Sequence, residues 1–293
     1  MKKHVNYKKH FNMLAVIAII LAALVWFSFP NSEQADGALE ITFVDIGQGD
    51  SIFIKTPEGE TLLIDGGEDE VFDSCLKPFL LSQKIWAVDF ALATHYHSDH
   101  AGGISELLEV NGVKTLVVPD YRPENKTKTR LLSLAEESDA NVLEVSEGDT
   151  LPLNCPDLRI SVLHPPKGGF SDNENNNSLV LKLEYFGTTI LLTGDLEADG
   201  EASLLDTYDL ESDILKIGHH GSSTSTSKEF LEAVDPTYAV IQCGKDNSYG
   251  HPHYETLATL EDDDVRIYRT DEDGHITFRL SEKGIISIKT SKN

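Results

Sequence analysis

The spacing of apolar residues switches between a strand-like period of two and a helical period in an order that occurs twice, and this repetition restricts the fold more than any other feature. From Leu39, the segments LEITFVDI, SIFIKT and TLLIDGG read as strands and VFDSCLKPFLLSQ as a helix. AVDFALAT follows as a buried strand and GISELLEV as a helix, then the strands TLVVPD and NVLEVS flank the helix RLLSLAEES. LRISVLHP, SLVLKLEYF and TTILLTGD open a second block of strands. DILKIGH, YAVIQCG and VRIYRT continue it, separated by the helices SKEFLEAV and HYETLATLED, and HITFRL with IISIKT closes as a hairpin. Strand-rich blocks followed by αβ units, given twice, predict two packed sheets with helices outside them. The expectation is an α/β fold, a four-layer αββα sandwich over residues 39–293.

Residues 1–10 are basic, and residues 11–29 form an apolar run, FNMLAVIAIILAALVWFSF, just long enough to cross a bilayer as a helix. Lysines ahead of the run and none close behind it place residues 1–10 in the cytoplasm and everything after Pro30 outside. The run is a transmembrane anchor or a cleaved signal peptide. Ala35-Asp36-Gly37 offers a small-residue cleavage site, whereas the length of the run favours an anchor. Residues 30–38 form a short polar linker. The folded domain is therefore expected outside the cell membrane, tethered to it or secreted.

Forty-nine acidic residues against 24 basic ones give a formal charge of −25. Such a surface repels phosphate backbones at long range, so a nucleic-acid substrate would have to be held locally, by metal and a few donors. Cys75, Cys155 and Cys243 are odd in number and lack metal-site spacing, so no disulfide framework is implied.

Potential metal ligands gather at strand ends. His95, His97, Asp99 and His100 follow AVDFALAT, after which Gly102-Gly103 is expected to open a helix. Imidazoles and a carboxylate so closely spaced on an irregular loop can face two adjacent positions for a borderline metal such as zinc. A single ion does not need four such crowded ligands. Asp195, ending TTILLTGD, stands where a bridging carboxylate would be sought, although a helix N-cap is the other reading. DILKIG delivers His219, His220 and Ser222; either histidine can be a ligand while its neighbour meets substrate or supports a ligand. His251 in SYGHPHYETL stays open between a further ligand, an acid for the leaving group and a turn residue. Asp45, Gln48 and Asp50 read as turn builders rather than metal support, and Asp65 before Gly66-Gly67 reads similarly. The acidic stretches 261–264 and 271–273 read as solvated.

Together these segments resemble the metallo-β-lactamase superfamily, and within it the extracellular hydrolase-like domains of ComEC-type DNA-uptake channels. VDIGQGDS (44–51), LLIDGG (62–67), THYHSDHAGG (94–103), ENNNSLVL (174–181), LLTGD (191–195), LKIGHHGSSTS (215–225), NSYGHPH (247–253) and YRTDEDGHI (268–276) carry the resemblance in order. It implies a dinuclear site between the sheets, with His95 and His97 on one metal, Asp99 and His100 on the other, and Asp195 shared. The cofactors implied are two divalent ions, zinc or else manganese. Two departures stand out. The chain offers one apolar segment where the channels have many, and Asn175-x-x-Ser178 replaces the superfamily's usual third-motif histidine, with nearby His164 expected on a loop. The resemblance implies a metal-dependent hydrolase in which a hydroxide between the metals attacks phosphorus or carbonyl carbon. Asp99 would orient it, and Asn175, Ser222 or His251 would donate to the substrate oxygen or leaving group. A phosphodiesterase or nuclease acting on nucleic acid outside the cytoplasm is the leading expectation. An esterase acting on choline phosphate or another cell-wall substituent is the alternative, and a non-catalytic module binding DNA or wall polymer is a third. No protein partner is implied.

Overall fold

The computed structural model describes residues 37–121 and 125–292. The expected cytoplasmic segment, the apolar segment and most of the linker lie outside these residues. No helix among the described residues is long and apolar enough to cross a membrane.

Eight strands form one sheet: β1 (Leu39–Phe43), β2 (Ile52–Lys55), β3 (Thr61–Ile64), β4 (Val88–Leu92), β5 (Val113–Pro119), β6 (Asn141–Val145), β13 (Ile276–Ser281) and β14 (Gly284–Thr290). Their order is β14-β13-β1-β2-β3-β4-β5-β6. The second sheet holds β7 (Leu158–His164), β8 (Val180–Tyr185), β9 (Thr188–Leu192), β10 (Ile214–Lys216), β11 (Tyr238–Ile241) and β12 (Arg266–Arg269), in the order β12-β11-β10-β9-β8-β7. Each sheet passes from antiparallel pairing into a parallel run, β3 to β6 in one and β9 to β12 in the other. Parallel neighbours need crossovers, and helices supply most of them. These are α1 (Lys77–Ser82), α2 (Ser98–Glu109) and α3 (Lys126–Glu137) on the first sheet, then α4 (Ala198–Leu205), α5 (Lys228–Val234) and α6 (Tyr254–Asp262) on the second, with the single turn α7 (Thr270–Asp273) after β12.

Alternation along the strands sorts the core into three layers. Ile41, Phe43, Leu62 and Leu92 meet Leu181, Leu183, Ile190 and Leu192 between the sheets. Phe53, Leu63, Ala91 and Leu116 pack outward on Ile104, Leu107 and Leu131. Val180, Leu191, Leu215 and Ile241 pack outward on Leu204, Phe230, Leu231 and Leu260. The layers are therefore helix, sheet, sheet, helix, in agreement with the expected order.

Three local expectations are corrected. Gly102-Gly103 does not open a helix; α2 begins at Ser98, so Asp99 and His100 occupy its first turn instead of an irregular loop. The glycines serve close packing: a β-carbon on Gly103 would overlap the Gly66 carbonyl oxygen and lie 2.8 Å from its carbon, and one on Gly102 would lie 2.9 Å from Glu68 C. The expected helix VFDSCLKPFLLSQ is broken into a 3₁₀ turn (Asp69–Val71), a π turn (Phe72–Leu76) and α1. Pro78, which lacks an N–H, falls in the first turn of α1, where that loss is tolerated. His164 ends β7 rather than lying on a loop, and it is buried with Nε2 2.8 Å from Asn176 O.

Gly103→Ala is expected to destabilise the protein by about 1–3 kcal/mol, because backbone rather than a flexible side chain must move. Gly59→Ala, whose β-carbon would meet nothing within 4 Å but whose φ is +89°, should cost only about 1 kcal/mol of backbone strain. Urea midpoints of the two variants would check this, and equal costs would remove the packing explanation.

Candidate metal centre

The potential ligands converge beyond the C-terminal ends of the parallel strands, where open α/β sheets commonly place their sites. The first sheet supplies Asp50 from the β1–β2 loop, Asp65 after β3, His95 and His97 after β4, and Asp99 and His100 from α2. The second supplies Asp195 after β9, His219 and His220 after β10, and Gln242 after β11. His219 and His220 both take left-handed backbone conformations, with φ of 47° and 55°. That conformation is costly for non-glycine residues and persists only where surroundings enforce it. Here His219 N donates to Gly194 O at 3.2 Å, and His220 Nδ1 lies 3.0 Å from Gln242 O.

Three groups have ligand atoms lying within 4.8 Å of one another: Asp99, His100, Asp195 and His220; His95, His97 and Asp195; and the wholly buried Asp50, Asp65 and His100. Asp195 belongs to the first two. Its Oδ2 lies 3.2 Å from His100 Nε2, 3.6 Å from His220 Nε2 and 3.8 Å from His219 Nε2. His220 Nε2 is 3.3 Å from Asp99 Oδ2, and His95 Nε2 is 3.0 Å from His97 Nδ1. His100 Nε2, His220 Nε2 and Asp195 Oδ1 are buried and have no hydrogen-bond partner. Leaving three such atoms unsatisfied is expensive, and all three can coordinate a divalent cation. The residues present therefore fit a metal.

Electrostatics agree with this reading. Burial pushes the Asp195 carboxyl up, but His100 and His220 outweigh it and hold it well below the usual range. Burial likewise lowers His220, yet Asp195 and Asp50 raise it to about 10. His100 is raised well above its ordinary value because Asp195, Asp65 and Asp99 overcome its burial. In the metal-free protein these two imidazoles thus carry protons that a cation must displace, so metal affinity should weaken as pH falls. Burial and the neighbouring His100 keep His95 neutral.

Beneath the potential ligands lies a supporting layer, which corrects the reading of Asp50 and Asp65 as turn builders. Both are buried. Asp65 accepts from Thr94 N at 2.8 Å and Thr94 Oγ1 at 2.7 Å, and its Oδ2 lies 2.8 Å from His100 Nδ1. Asp50 Oδ1 lies 3.2 Å from His220 Nδ1, and its other oxygen pairs with the fully buried Lys216. Lys216 Nζ also donates to Gly194 O at 3.0 Å. Ser178 stands in the segment that lacks the superfamily's histidine; its Oγ is 3.3 Å from His95 Nδ1 and accepts from Asp195 N at 3.1 Å. Asp45 does build a turn, accepting weakly from Gly47 N at 3.4 Å, and Gln48 Oε1 accepts from Gly244 N at 3.1 Å.

An open cleft of about 280 Å³ exposes the centre, lined by Gln48, His97, Ser98, Asp99, Asp195, His219, His220, Tyr249 and His251. Asn175 and Ser222 are not among its walls. Asn175 Nδ2 donates to Glu197 Oε1 at 3.0 Å, and Ser222 Oγ lies 3.0 Å from Thr224 Oγ1. A larger surface cleft of about 770 Å³ between Asn125 and Glu137 contains none of the potential ligands. Burial, followed by the charges of His220 and His219, pushes His251 down to about 4. Sequence reasoning did not single out Lys216, Gln242, Thr94 or Tyr249. Lys216 alone left a signal, as a charge inside the buried strand DILKIG.

The family model described as "Metallo-beta-lactamase superfamily" matches residues 44–245. Among curated relatives, ComE operon protein 3 of Bacillus subtilis is 36% identical over 83% of this chain and 33% of its own length. Competence protein ComA of Neisseria gonorrhoeae is 29% identical over 91% of this chain and 36% of its own. The chain thus spans about a third of the length of these relatives. The metallo-beta-lactamase fold protein YhfI of Bacillus subtilis shares the fold, with a TM-score of 0.57 at 13% identity over 83% of this chain and all of that one (100%). Family match, fold and ligand-bearing strand ends coincide, and the chain belongs to the metallo-β-lactamase superfamily.

Proposed function

We propose that this chain is a metal-dependent phosphodiesterase with a dinuclear centre, acting on nucleic acid outside the cytoplasm from a membrane-tethered or secreted domain. The observation that carries this reading is Asp195, whose carboxylate is shared by the two potential ligand groups that reach the cleft. Asp99, His100, His220 and Asp195 would hold one cation, and His95, His97 and Asp195 the other. Two divalent ions there, zinc or manganese, would lower the pKa of a water and take up charge developing on the substrate oxygen. The protein's own groups prepare the site. Asp65 and the Gln242 carbonyl occupy Nδ1 of His100 and His220 respectively, which leaves both Nε2 atoms to face the cluster. Asp99 lines the cleft, and although burial opposes ionisation, His100 and His220 keep its carboxyl well below the usual range. It is therefore an acceptor at neutral pH, suited to orient a water by one of its hydrogens. His251 is neutral at pH 7, which suits it to a hydrogen bond with the leaving oxygen better than to proton donation. The competence proteins among the relatives support nucleic acid as the substrate class.

Elemental analysis of the full chain should find about two equivalents of divalent metal, one for each of the two groups that share Asp195. Hydrolysis of methyl p-nitrophenyl phosphate should fall by about 100-fold or more on chelation and return with zinc or manganese. A single equivalent would sink the dinuclear reading, and an unchanged rate after metal removal would sink metal dependence.

A further inference from the structure

We propose that Tyr249, backed by His251, forms a nucleobase subsite at the mouth of the cleft, so that the enzyme takes single-stranded or frayed nucleic acid rather than the interior of a duplex. This inference deepens the phosphodiesterase reading and rests on it.

Tyr249 is 64% exposed and lines the cleft beside Asp99 and Asp195. Its ring stacks on His251 at 5.6 Å between centroids and 22° between planes. Rings therefore lead outward from the potential ligand His220, through His251 at 6.2 Å, to Tyr249. A base resting on Tyr249 would belong to a nucleotide adjoining the phosphate at the cluster. The loop carrying the platform is set in advance by Asn247. Its Oδ1 accepts from Tyr249 N at 3.1 Å and His251 N at 3.0 Å, while its Nδ2 donates to Gly244 O at 2.9 Å and to His251 O. A large ring held over solvent on a fixed loop is a ready stacking surface, because every base has a π-face to offer.

Charge favours the same occupant. The cleft wall contains no lysine or arginine among the described residues, and the whole chain carries −25. Of the cations on the adjoining face, Arg269 is committed to Asp271 at 2.7 Å and Lys292 to Asp45 at 2.9 Å, which leaves one exposed lysine, Lys245 of the platform's own loop. Side chains therefore supply little neutralisation of phosphates, which ordinarily dominates nucleic-acid affinity. Base stacking, worth about 1–3 kcal/mol per base, is the contribution left to the protein. In a duplex interior both faces of each base are covered, so only an unstacked base can use it.

The test compares the full chain, metal-loaded and in detergent, on thymidine 5′-(p-nitrophenyl phosphate) and methyl p-nitrophenyl phosphate, two diesters that differ by the nucleoside. The wild type should prefer the thymidine ester by about 5–150-fold in kcat/KM, the range that stacking energies give. Tyr249→Ala should collapse that ratio toward unity through KM, and Tyr249→Phe should keep it. Fluorescence anisotropy should show oligothymidylate binding more tightly than a blunt duplex, weakened by Tyr249→Ala, and no weaker at 200 mM than at ~50 mM salt. An unchanged ratio in Tyr249→Ala overturns the subsite while leaving the phosphodiesterase reading intact. Hydrolysis of neither diester by the metal-loaded wild type overturns both. An effect of Tyr249→Ala confined to p-nitrophenyl phosphorylcholine would replace the nucleobase with a quaternary ammonium and overturn the proposal.

Discussion

In Asp195→Ala, phosphodiester hydrolysis is expected to fall by about 1,000-fold or more, with bound metal dropping well below two equivalents. The size follows from position. Asp195 is shared by the two potential ligand groups that reach the cleft, and one of its oxygens lies between 3.2 and 3.8 Å from three imidazole nitrogens. Cations contribute several kcal/mol of transition-state charge stabilisation, and each 1.36 kcal/mol is tenfold in rate. Removing the carboxylate also leaves His95, His100 and His220 gathered without their shared counter-charge. Asp195→Asn, which keeps shape but not charge, should fall between wild type and alanine in metal content. Elemental analysis alongside steady-state kinetics measures both. Retention of two equivalents and of a rate within tenfold of wild type by the alanine variant would refute the shared-ligand assignment.

Lys216→Met should destabilise the metal-free protein by about 3–5 kcal/mol, the usual cost of leaving one partner of a buried ion pair alone. Lys216 is fully buried in β10 and faces the equally enclosed Asp50. Burial drives the Asp50 carboxyl upward, and Lys216 ahead of His220 reverses that and holds it down. Without the ammonium, Asp50 must take up a proton or remain charged among poorly solvated groups. Gly194 O, one residue before Asp195, loses one of its two donors as well and keeps His219 N. Adding Asp50→Asn to Lys216→Met should therefore cost less than the sum of the single changes. Urea denaturation of the four proteins tests this cycle. A cost below about 1 kcal/mol for Lys216→Met, or strict additivity, would show that the pair does not act as a unit.

Period-two and helical spacing placed nearly all the strands and the larger helices, because alternation reports directly which side of a strand is buried. The histidine and aspartate run was legible for another reason: its spacing after an apolar strand has few other uses. The sequence left open which of His219 and His220 joins the cluster. Geometry separates them, since His220 falls in the four-residue group while His219 lies beside it, 3.3 Å from Glu197. Asp50 and Asp65 were misread because an acid next to glycine looks the same in an exposed turn and under a site. Asp50 meets Lys216 and His220, which the second sheet supplies much later in the chain, and Asp65 meets Thr94 and His100 across the β3–β4 crossover. The same limit hid Gln242, whose amide reaches Val44 and Ser51 in the first sheet's β1–β2 loop. Gly102-Gly103 misled in the opposite direction, since glycines required for close packing on residues 66–69 resemble a helix boundary when read alone.

Residues of both sheets meet at the centre, so neither half of the chain can assemble it alone. With the proposed ions in place, one end of the sandwich is cross-linked through coordination, and resistance to unfolding becomes a function of the surrounding free-metal concentration. Every tenfold rise above the dissociation constant adds about 1.4 kcal/mol per bound ion. The working lifetime of this domain would then depend on the ionic make-up of its compartment as well as on its own packing.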